Sequence, residues 1–149
     1  MKGNLLIVDD EPMLLKRLRL NLSFFADNVF TASNGLEALS VLENENVHCV
    51  ICDVNMPKMN GIEVIKKLRE VNNPTPFIFY TGHGNHEMML EVAKYGAFDF
   101  FNKPDFEGLE EVLPMALLEG LNKESPQESA ERELSEYQKL LRDMDKIND

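Results

Sequence analysis

The sequence predicts an α/β fold in which five parallel strands form a doubly wound sheet, followed by an extra C-terminal helix. Short apolar runs alternate five times with longer segments whose apolar residues recur at helical spacing. This alternation is typical of parallel sheets whose crossover connections are helices. The short runs are continuously apolar, which indicates strands buried on both faces.

Strand and helix segments follow one another in strict order along the chain. The predicted strands are residues 4–8, 28–32, 47–52, 76–80 and 97–101. The predicted helices between and after them are residues 11–25, 34–45, 61–71, 85–96 and 106–121. Pro114 lies inside the last of these helices, where it should bend the helix or mark a local adjustment.

Composition limits the classes of function. The length of 149 residues suits one domain with an appendage, and the net charge of −11 argues against direct binding of nucleic acid. No apolar run approaches the ~20 residues of a membrane span. With two cysteines and no signal segment, we expect a cytoplasmic protein that does not engage a membrane.

The two cysteines, Cys49 and Cys52, have the C-x-x-C spacing of some metal and redox sites. Positions three apart in a strand point to opposite faces of the sheet. We therefore interpret both as small apolar residues of the third strand.

The C-terminal segment differs in character from residues 1–121. Residues 122–129 are polar and predict a linker, and residues 130–149 predict an amphipathic helix. Its apolar residues recur at steps of four and three, giving about two heptads: Ala130, Leu134, Tyr137, Leu141 and Met144. Two interpretations stay open, a weak homodimer through this helix, or a helix folded back on its own domain or frayed.

Carboxylates follow two of the predicted strands. Asp9, Asp10 and Glu11 come directly after the first strand, and Asp53 directly after the third. In the common strand order 2-1-3-4-5 these two strands are neighbours, and ligands bind beyond their carboxyl ends. A cluster of carboxylates needs a positive partner, and oxygen ligands favour Mg²⁺. Asn55, two residues past Asp53, is placed to offer its backbone carbonyl to the same ion.

The ends of the last two strands add a hydroxyl and a cation to the same edge. Thr81 follows the fourth strand and Lys103 the fifth. Mg²⁺ and Lys103 would neutralise phosphate oxygens, and Thr81 would donate a hydrogen bond to one of them. Together they suit a phosphoryl group carried on Asp53, since an aspartate can act as a phosphoryl-accepting nucleophile.

Four motifs resemble those of bacterial response-regulator receiver domains of the CheY-like type. They are "LIVDDE" (6–11), "DVNMPKMNG" (53–61), "YTG" (80–82) and "KP" (103–104), and the resemblance covers about residues 1–121. It implies a flavodoxin-like sheet in the order 2-1-3-4-5. It also implies a cis Lys103–Pro104 peptide bond.

The resemblance implies a role for each matching residue. Asp53 is the expected phosphorylation site, and Thr81 and Phe100 match the switch positions. Lys103 matches the phosphate-contacting lysine. Asp9 and Asp10 match the acidic pair, and the residues implied in the metal site are Asp9, Asp10, Asp53 and Asn55.

The implied function is a phosphorylation-dependent switch of a two-component system. Its phosphoryl group would come from a sensor histidine kinase or a histidine phosphotransfer protein, and it would signal by altered contacts with a downstream protein. We expect no enzymatic activity beyond slow self-phosphorylation and self-dephosphorylation. Two alternatives stay open: the receiver portion of a longer regulator, and a Mg²⁺-dependent aspartyl-phosphate phosphatase or phosphotransferase.

His83 and His86 form an H-x-x-H spacing after the fourth strand. Two ligands without a third make a poor transition-metal site, so we interpret them as residues of a solvated loop. By the resemblance, His83 flanks the phosphorylation site, where a side chain can tune dephosphorylation.

Overall fold

The five predicted strands form one parallel sheet in the order β2-β1-β3-β4-β5. The structure is a computed structural model that describes residues 1–148. The strands are β1 (Asn4–Val8), β2 (Asn28–Ala32), β3 (Cys49–Cys52), β4 (Phe77–Thr81) and β5 (Asp99–Asn102). The predicted fold class and strand order are therefore confirmed.

Helices connect the strands and cover both faces of the sheet. They are α1 (Pro12–Leu22), α2 (Gly35–Asn44), α3 (Gly61–Glu70), α4 (His86–Lys94), α5 (Phe106–Asn122) and α6 (Pro126–Asn148). A short 3₁₀ turn, Ser23–Phe25, follows α1 and fills the end of the segment predicted as one helix. None of the helices in residues 1–148 has the length and apolar character needed to cross a lipid bilayer.

Alternate residues of each central strand enter two separate hydrophobic clusters. On one face, Leu6 and Val8 of β1 pack with residues of α2, α3 and α4. On the other face, Leu5 and Ile7 pack with residues of α1 and α5. Because residues 5–8 of β1 are buried on both faces, all four are apolar, which explains the continuous run seen in the sequence.

The cysteines follow the same alternation. Cys49 belongs to the cluster under α1 and α5, and Cys52 to the cluster under α2, α3 and α4. Both are buried and unbridged. The interpretation of the pair as strand residues on opposite faces is confirmed.

Four of the helices that follow strands begin at a side chain that accepts a hydrogen bond from the first helical turn. The capping residues are Asn34 for α2, Asn60 for α3, Asn85 for α4 and Asp105 for α5. Such caps satisfy backbone N–H groups that have no partner within the helix. They also place each helix start beside the strand end that precedes it, where the polar residues of the site lie.

Helix α5 continues through Pro114. Proline removes one backbone hydrogen bond and frees the carbonyl one turn earlier, here that of Glu110. Pro114 and Glu110 are both exposed, so water reaches the freed carbonyl.

The linker predicted over 122–129 is shorter in the structure. Helix α5 extends to Asn122 and α6 begins at Pro126, which leaves three residues, 123–125, between them. The hydroxyl of Ser125 accepts from the N–H of Glu128, and the Glu128 carboxylate accepts from the N–H of Ser125. This capping box, followed by proline at the first helical position, starts α6 four residues before the predicted start.

The predicted C-terminal helix exists and its apolar residues face solvent. Leu134, Tyr137, Leu141 and Met144 retain 42–58% of their exposure. The alternative in which this stripe packs on its own domain is therefore wrong. Residue 149, included in the predicted helix, lies outside the described residues.

Candidate functional site

The carboxyl ends of β1 and β3 bring two buried aspartates together. Val8 and Cys52 are paired in the register of the two strands, and Asp9 and Asp53 are the next residues. The N–H of Asp53 donates to the carbonyl of Val8 at 2.9 Å, which extends the ladder past the end of β3. Both aspartates therefore stand on rigid backbone at the edge of the sheet.

Three carboxylates converge at this edge. One carboxylate oxygen from each of Asp9, Asp10 and Asp53 lies within 4.8 Å of the others. Asp9 and Asp53 are buried and Asp10 is exposed, so the cluster opens to solvent on one side. The predicted grouping of these three residues agrees with this geometry.

Lys103 reaches into the cluster from the end of β5. Its Nζ lies 2.7 Å from Asp9 Oδ2 and 3.3 Å from Asp53 Oδ2, with Glu11 Oε1 at 3.9 Å. The Lys103–Pro104 peptide bond that follows is cis, as predicted. The lysine thus balances part of the negative charge of two buried aspartates.

The same contacts determine the titration of the pair. Burial raises the pKa of Asp9 above its ordinary value, against the opposing hydrogen bonds from Lys103 and from the N–H of Glu11. Burial alone would lower the pKa of Lys103, but its bond to Asp9 and the charge of Asp53 outweigh burial and raise that pKa. Lys103 therefore stays a cation.

Two buried oxygens at this edge lack hydrogen-bond partners. Within the described part of the chain, no group donates to Asp53 Oδ1 and none pairs with Thr81 Oγ1. Buried polar atoms are nearly always satisfied, so each such exception needs an explanation. One oxygen belongs to the central carboxylate and the other to the hydroxyl at the end of β4.

The loop after β3 turns the chain close against Asp53. Gly61 begins α3, and its N–H donates to the carbonyl of Val54 at 2.9 Å. A Cβ built at Gly61 would stand 2.2 Å from the Asp53 carbonyl oxygen, so only glycine fits there. Asn55 lies in this loop and is exposed, two residues past the aspartate.

Phe100 packs beneath the loop that joins β4 to α4. It is partly buried against the cluster of α2, α3 and α4. A Cβ built on Gly84 would meet its ring edge at 2.6 Å, so the loop backbone lies directly on the ring. The loop is also tied to β5, because the N–H of Gly84 donates to Asn102 Oδ1 at 3.0 Å.

Two contacts near the site were not predicted from the sequence. The Tyr80 hydroxyl accepts from the N–H of Asp105 at 3.0 Å and fixes the turn after Pro104. The second is the bond between Gly84 and Asn102. Both contacts join β4, or the loop that follows it, to β5 or to the turn that follows β5. They could be expected only from the strand register, in which Thr81 pairs with Asn102.

His83 lies in the loop after β4 and His86 is the first residue of α4, and both side chains are exposed. Neither belongs to the carboxylate cluster that could hold a metal ion. The interpretation as a solvated loop residue therefore fits His83, whereas His86 is an exposed residue of the first turn of α4.

Comparison with known proteins assigns the fold and the motifs to one family. The sequence model of the response regulator receiver domain matches residues 5–113. The chain is similar to the transcriptional regulatory protein GlrR of Escherichia coli, with 37% identity over 77% of this chain and 26% of the relative. It is also similar to the transcriptional regulatory protein SrrA of Staphylococcus aureus, with 34% identity over 97% of this chain and 61% of the relative.

A solved structure supports the same assignment. The CheY-like receiver domain protein of Methanospirillum hungatei superimposes with a TM-score of 0.75 at 26% identity, over 83% of this chain and all of that one. The chain spans only 26% of GlrR and 61% of SrrA. Its sheet order, acidic cluster and motifs are those expected of a receiver, and the chain belongs to the response regulator receiver domain family of two-component systems.

Proposed function

We propose that Asp53 is the phosphoryl acceptor of this receiver domain. Phosphorylation on an aspartate is the general property of the family. Asp53 is the central carboxylate of the cluster, and it is flanked by Lys103 at 3.3 Å. Attack by a carboxylate oxygen on the phosphorus of a phosphohistidine would form an acyl phosphate and return the electron pair to the histidine nitrogen.

The observation that carries this proposal is the pair of unpartnered buried oxygens, Asp53 Oδ1 and Thr81 Oγ1. A phosphoryl group on Asp53 would bring acceptor oxygens to the end of β4. The Thr81 hydroxyl would then donate to one of them, and Lys103 would neutralise another. The Thr81 hydroxyl would therefore gain a partner in the phosphorylated state, and Asp53 Oδ1 would be an unpartnered oxygen able to attack phosphorus.

The cluster fits a divalent cation. Three carboxylate oxygens lie within 4.8 Å of one another, and oxygen-only donors favour a hard ion such as Mg²⁺. The residues that would hold it are Asp10, Asp53 and the carbonyl of Asn55, with Asp9 beside them. A bound Mg²⁺ would supply charge neutralisation for a dianionic phosphoryl donor.

We propose that the switch couples a movement of Thr81 to a movement of the Phe100 ring. Movement of Thr81 toward the phosphoryl group would leave space at the end of β4, and the Phe100 ring would turn inward. The Gly84 backbone lies on that ring, so the loop between β4 and α4 would move with it. This would alter the surface offered to a downstream protein.

The proposed phosphodonor is a sensor histidine kinase or a histidine phosphotransfer protein, acting in the cytoplasm. The relatives are longer transcriptional regulators, which supports a role as the receiver portion of such a protein. We propose that the receiver itself signals by protein contact and does not bind nucleic acid or turn over small-molecule substrates. The acidic charge of −11 supports the first exclusion.

Incubation with acetyl phosphate and Mg²⁺, followed by intact-mass measurement, tests the acceptor. One phosphoryl group should be added, and Asp53→Asn should abolish the addition. Asp143→Asn, the same chemical change on the exposed surface of α6, is the matched control and should label normally. Undiminished labelling of Asp53→Asn would overturn the assignment.

A second assay separates the switch from the phosphatase alternative. Free phosphomonoesters such as p-nitrophenyl phosphate should not be hydrolysed catalytically. Multiple turnovers that disappear in Asp53→Asn would establish an enzyme instead.

Removing divalent cations with a chelator should stop labelling whether the chain is a switch or an enzyme, because the three carboxylates would otherwise repel the phosphodonor.

A further inference from the structure

Helix α6 carries an unpartnered apolar surface. We define the α6 stripe as Leu134, Tyr137, Leu141 and Met144, which are exposed at 57%, 58%, 42% and 49%. Leu140 lies beside it and is exposed at 56%. Five large apolar side chains on one helix face form a contiguous patch of the kind that marks an interaction site.

The opposite side of α6 faces the receiver domain. Arg132 Nε donates to both carboxylate oxygens of Glu124, at 2.9 and 2.8 Å. Leu134 lies two positions further along the helix, a rotation of about 200°. The stripe therefore points away from the domain to which the polar side is attached.

The attachment of α6 is buried. Glu124 also accepts a hydrogen bond from His48 Nε2, and the side chains of both residues are almost fully inaccessible. At Gly120, α5 passes so close to the His48 carbonyl that a Cβ would stand 1.7 Å from its oxygen. The start of α6 is thus fixed to the base of β3, and the stripe has a defined direction.

The charges beside the stripe select one arrangement of two identical helices. In a heptad description, Leu134 and Leu141 occupy a positions and Tyr137 and Met144 occupy d positions. A parallel pair places Glu133 beside Gln138 of the second copy, and Leu140 beside Asp145 of the second copy. No like charges face each other in these flanking pairs.

An antiparallel pair is less favourable. Setting Leu134 against Met144 of the second copy brings Glu131 opposite Asp145 of the second copy. By symmetry this contact between two carboxylates occurs twice, and like charges at such positions oppose association.

We propose that the α6 stripe is the interface for a second copy of this chain, as a parallel two-stranded coiled coil. The described stripe covers about two heptads, fewer than the three to four that identify a stable coiled coil. The dimer is therefore weak and reversible. The argument for this interface uses only the unphosphorylated chain, so the association is tested without a phosphodonor.

Sedimentation equilibrium of the full chain over a range of concentrations measures the association. Leu141→Glu should raise the dimer dissociation constant at least ~10-fold, because it removes apolar burial in both copies. Ser135→Glu adds the same carboxylate about 150° from the centre of the stripe and is the matched control. A wild-type chain that stays monomeric to millimolar concentration, or equal effects of the two variants, would overturn the proposal.

Disulfide trapping tests the direction of the helices and does not require a destabilising variant. Tyr137→Cys should oxidise to a symmetric covalent dimer, faster than Lys139→Cys on the opposite side of α6. A mixture of Leu134→Cys and Met144→Cys should give mainly like-with-like dimers. Predominance of the mixed 134–144 disulfide would show an antiparallel pair and refute the parallel arrangement. The native Cys49 and Cys52 are buried and give no background.

Discussion

Removal of the Glu124 carboxylate should lower the free energy of unfolding more than removal of an exposed ion pair elsewhere in the described residues. Its side chain is 3% exposed and joins two partners, His48 and Arg132. His48 Nδ1 accepts from the N–H of Asn4 at 2.8 Å. A neutral imidazole in this position carries its proton on Nε2 and donates it to Glu124.

The magnitude follows from what Glu124→Ala leaves behind. The His48 Nε2–H would be buried without a partner, which costs about 1–3 kcal/mol. Arg132 is 19% exposed and can turn to water, so its ion pair adds only roughly 0–1 kcal/mol. The expected loss is therefore about 1–4 kcal/mol. Glu124→Gln retains an acceptor for His48 and should cost about 1 kcal/mol.

Urea unfolding of the full chain measures these differences. The matched control is Glu119→Ala near the end of α5, where Glu119 pairs with Lys123 at 3.4 Å and both side chains are about 40% exposed. It should change the free energy of unfolding by less than about 0.5 kcal/mol. If Glu124→Ala costs no more than this control, or if Glu124→Gln costs as much as Glu124→Ala, the reasoning from the buried hydrogen bond fails.

Three further outcomes are expected. Gly84→Ala should lower the free energy of unfolding, measured by thermal denaturation, by about 1–3 kcal/mol, because its Cβ would meet the Phe100 ring at 2.6 Å. Gly82→Ala, in the same loop, is the control: its Cβ would meet nothing within 4 Å, so the change should be nearly neutral. Lys103→Gln should slow acetyl phosphate labelling roughly 10²-fold by intact mass, and Lys94→Gln on α4 should not. Burial raises the pKa of both cysteine thiols, so a thiol reagent at pH 8 should not modify either cysteine in the native protein. Both should react after unfolding in urea, and rapid modification of the native protein would contradict their burial.

The fold was predictable because local and global preferences agree. The apolar runs of β1, β3 and β4 are buried on both faces, and this is the condition that a continuous apolar run indicates. Asp9, Asp53 and Thr81 came together because parallel strands end at the same edge. The positions of these residues along the chain were therefore enough to place them in the site, without knowledge of any side-chain contact.

Contacts between distant segments were not predictable in the same way. His48 and Glu124 lie 76 positions apart, and neither has a sequence pattern that indicates the other. Phe100 and Gly84 meet only because a loop folds over a strand. The start of α6 at Pro126, by contrast, was predictable, because the capping box of Ser125 and Glu128 is visible in the sequence.

Strand β3 joins the two ends of the molecule that carry the proposed functions. His48 precedes it and holds the α5–α6 corner, and Asp53 follows it and carries the proposed phosphoryl site. The four residues between them are buried on both faces and close-packed, so β3 fixes the distance between the two ends. A switching element needs two discrete arrangements, and the loop over Phe100 is a better candidate than a central strand. The proposed phosphorylation at Asp53 and the proposed pairing through α6 can therefore act on separate surfaces of one rigid domain.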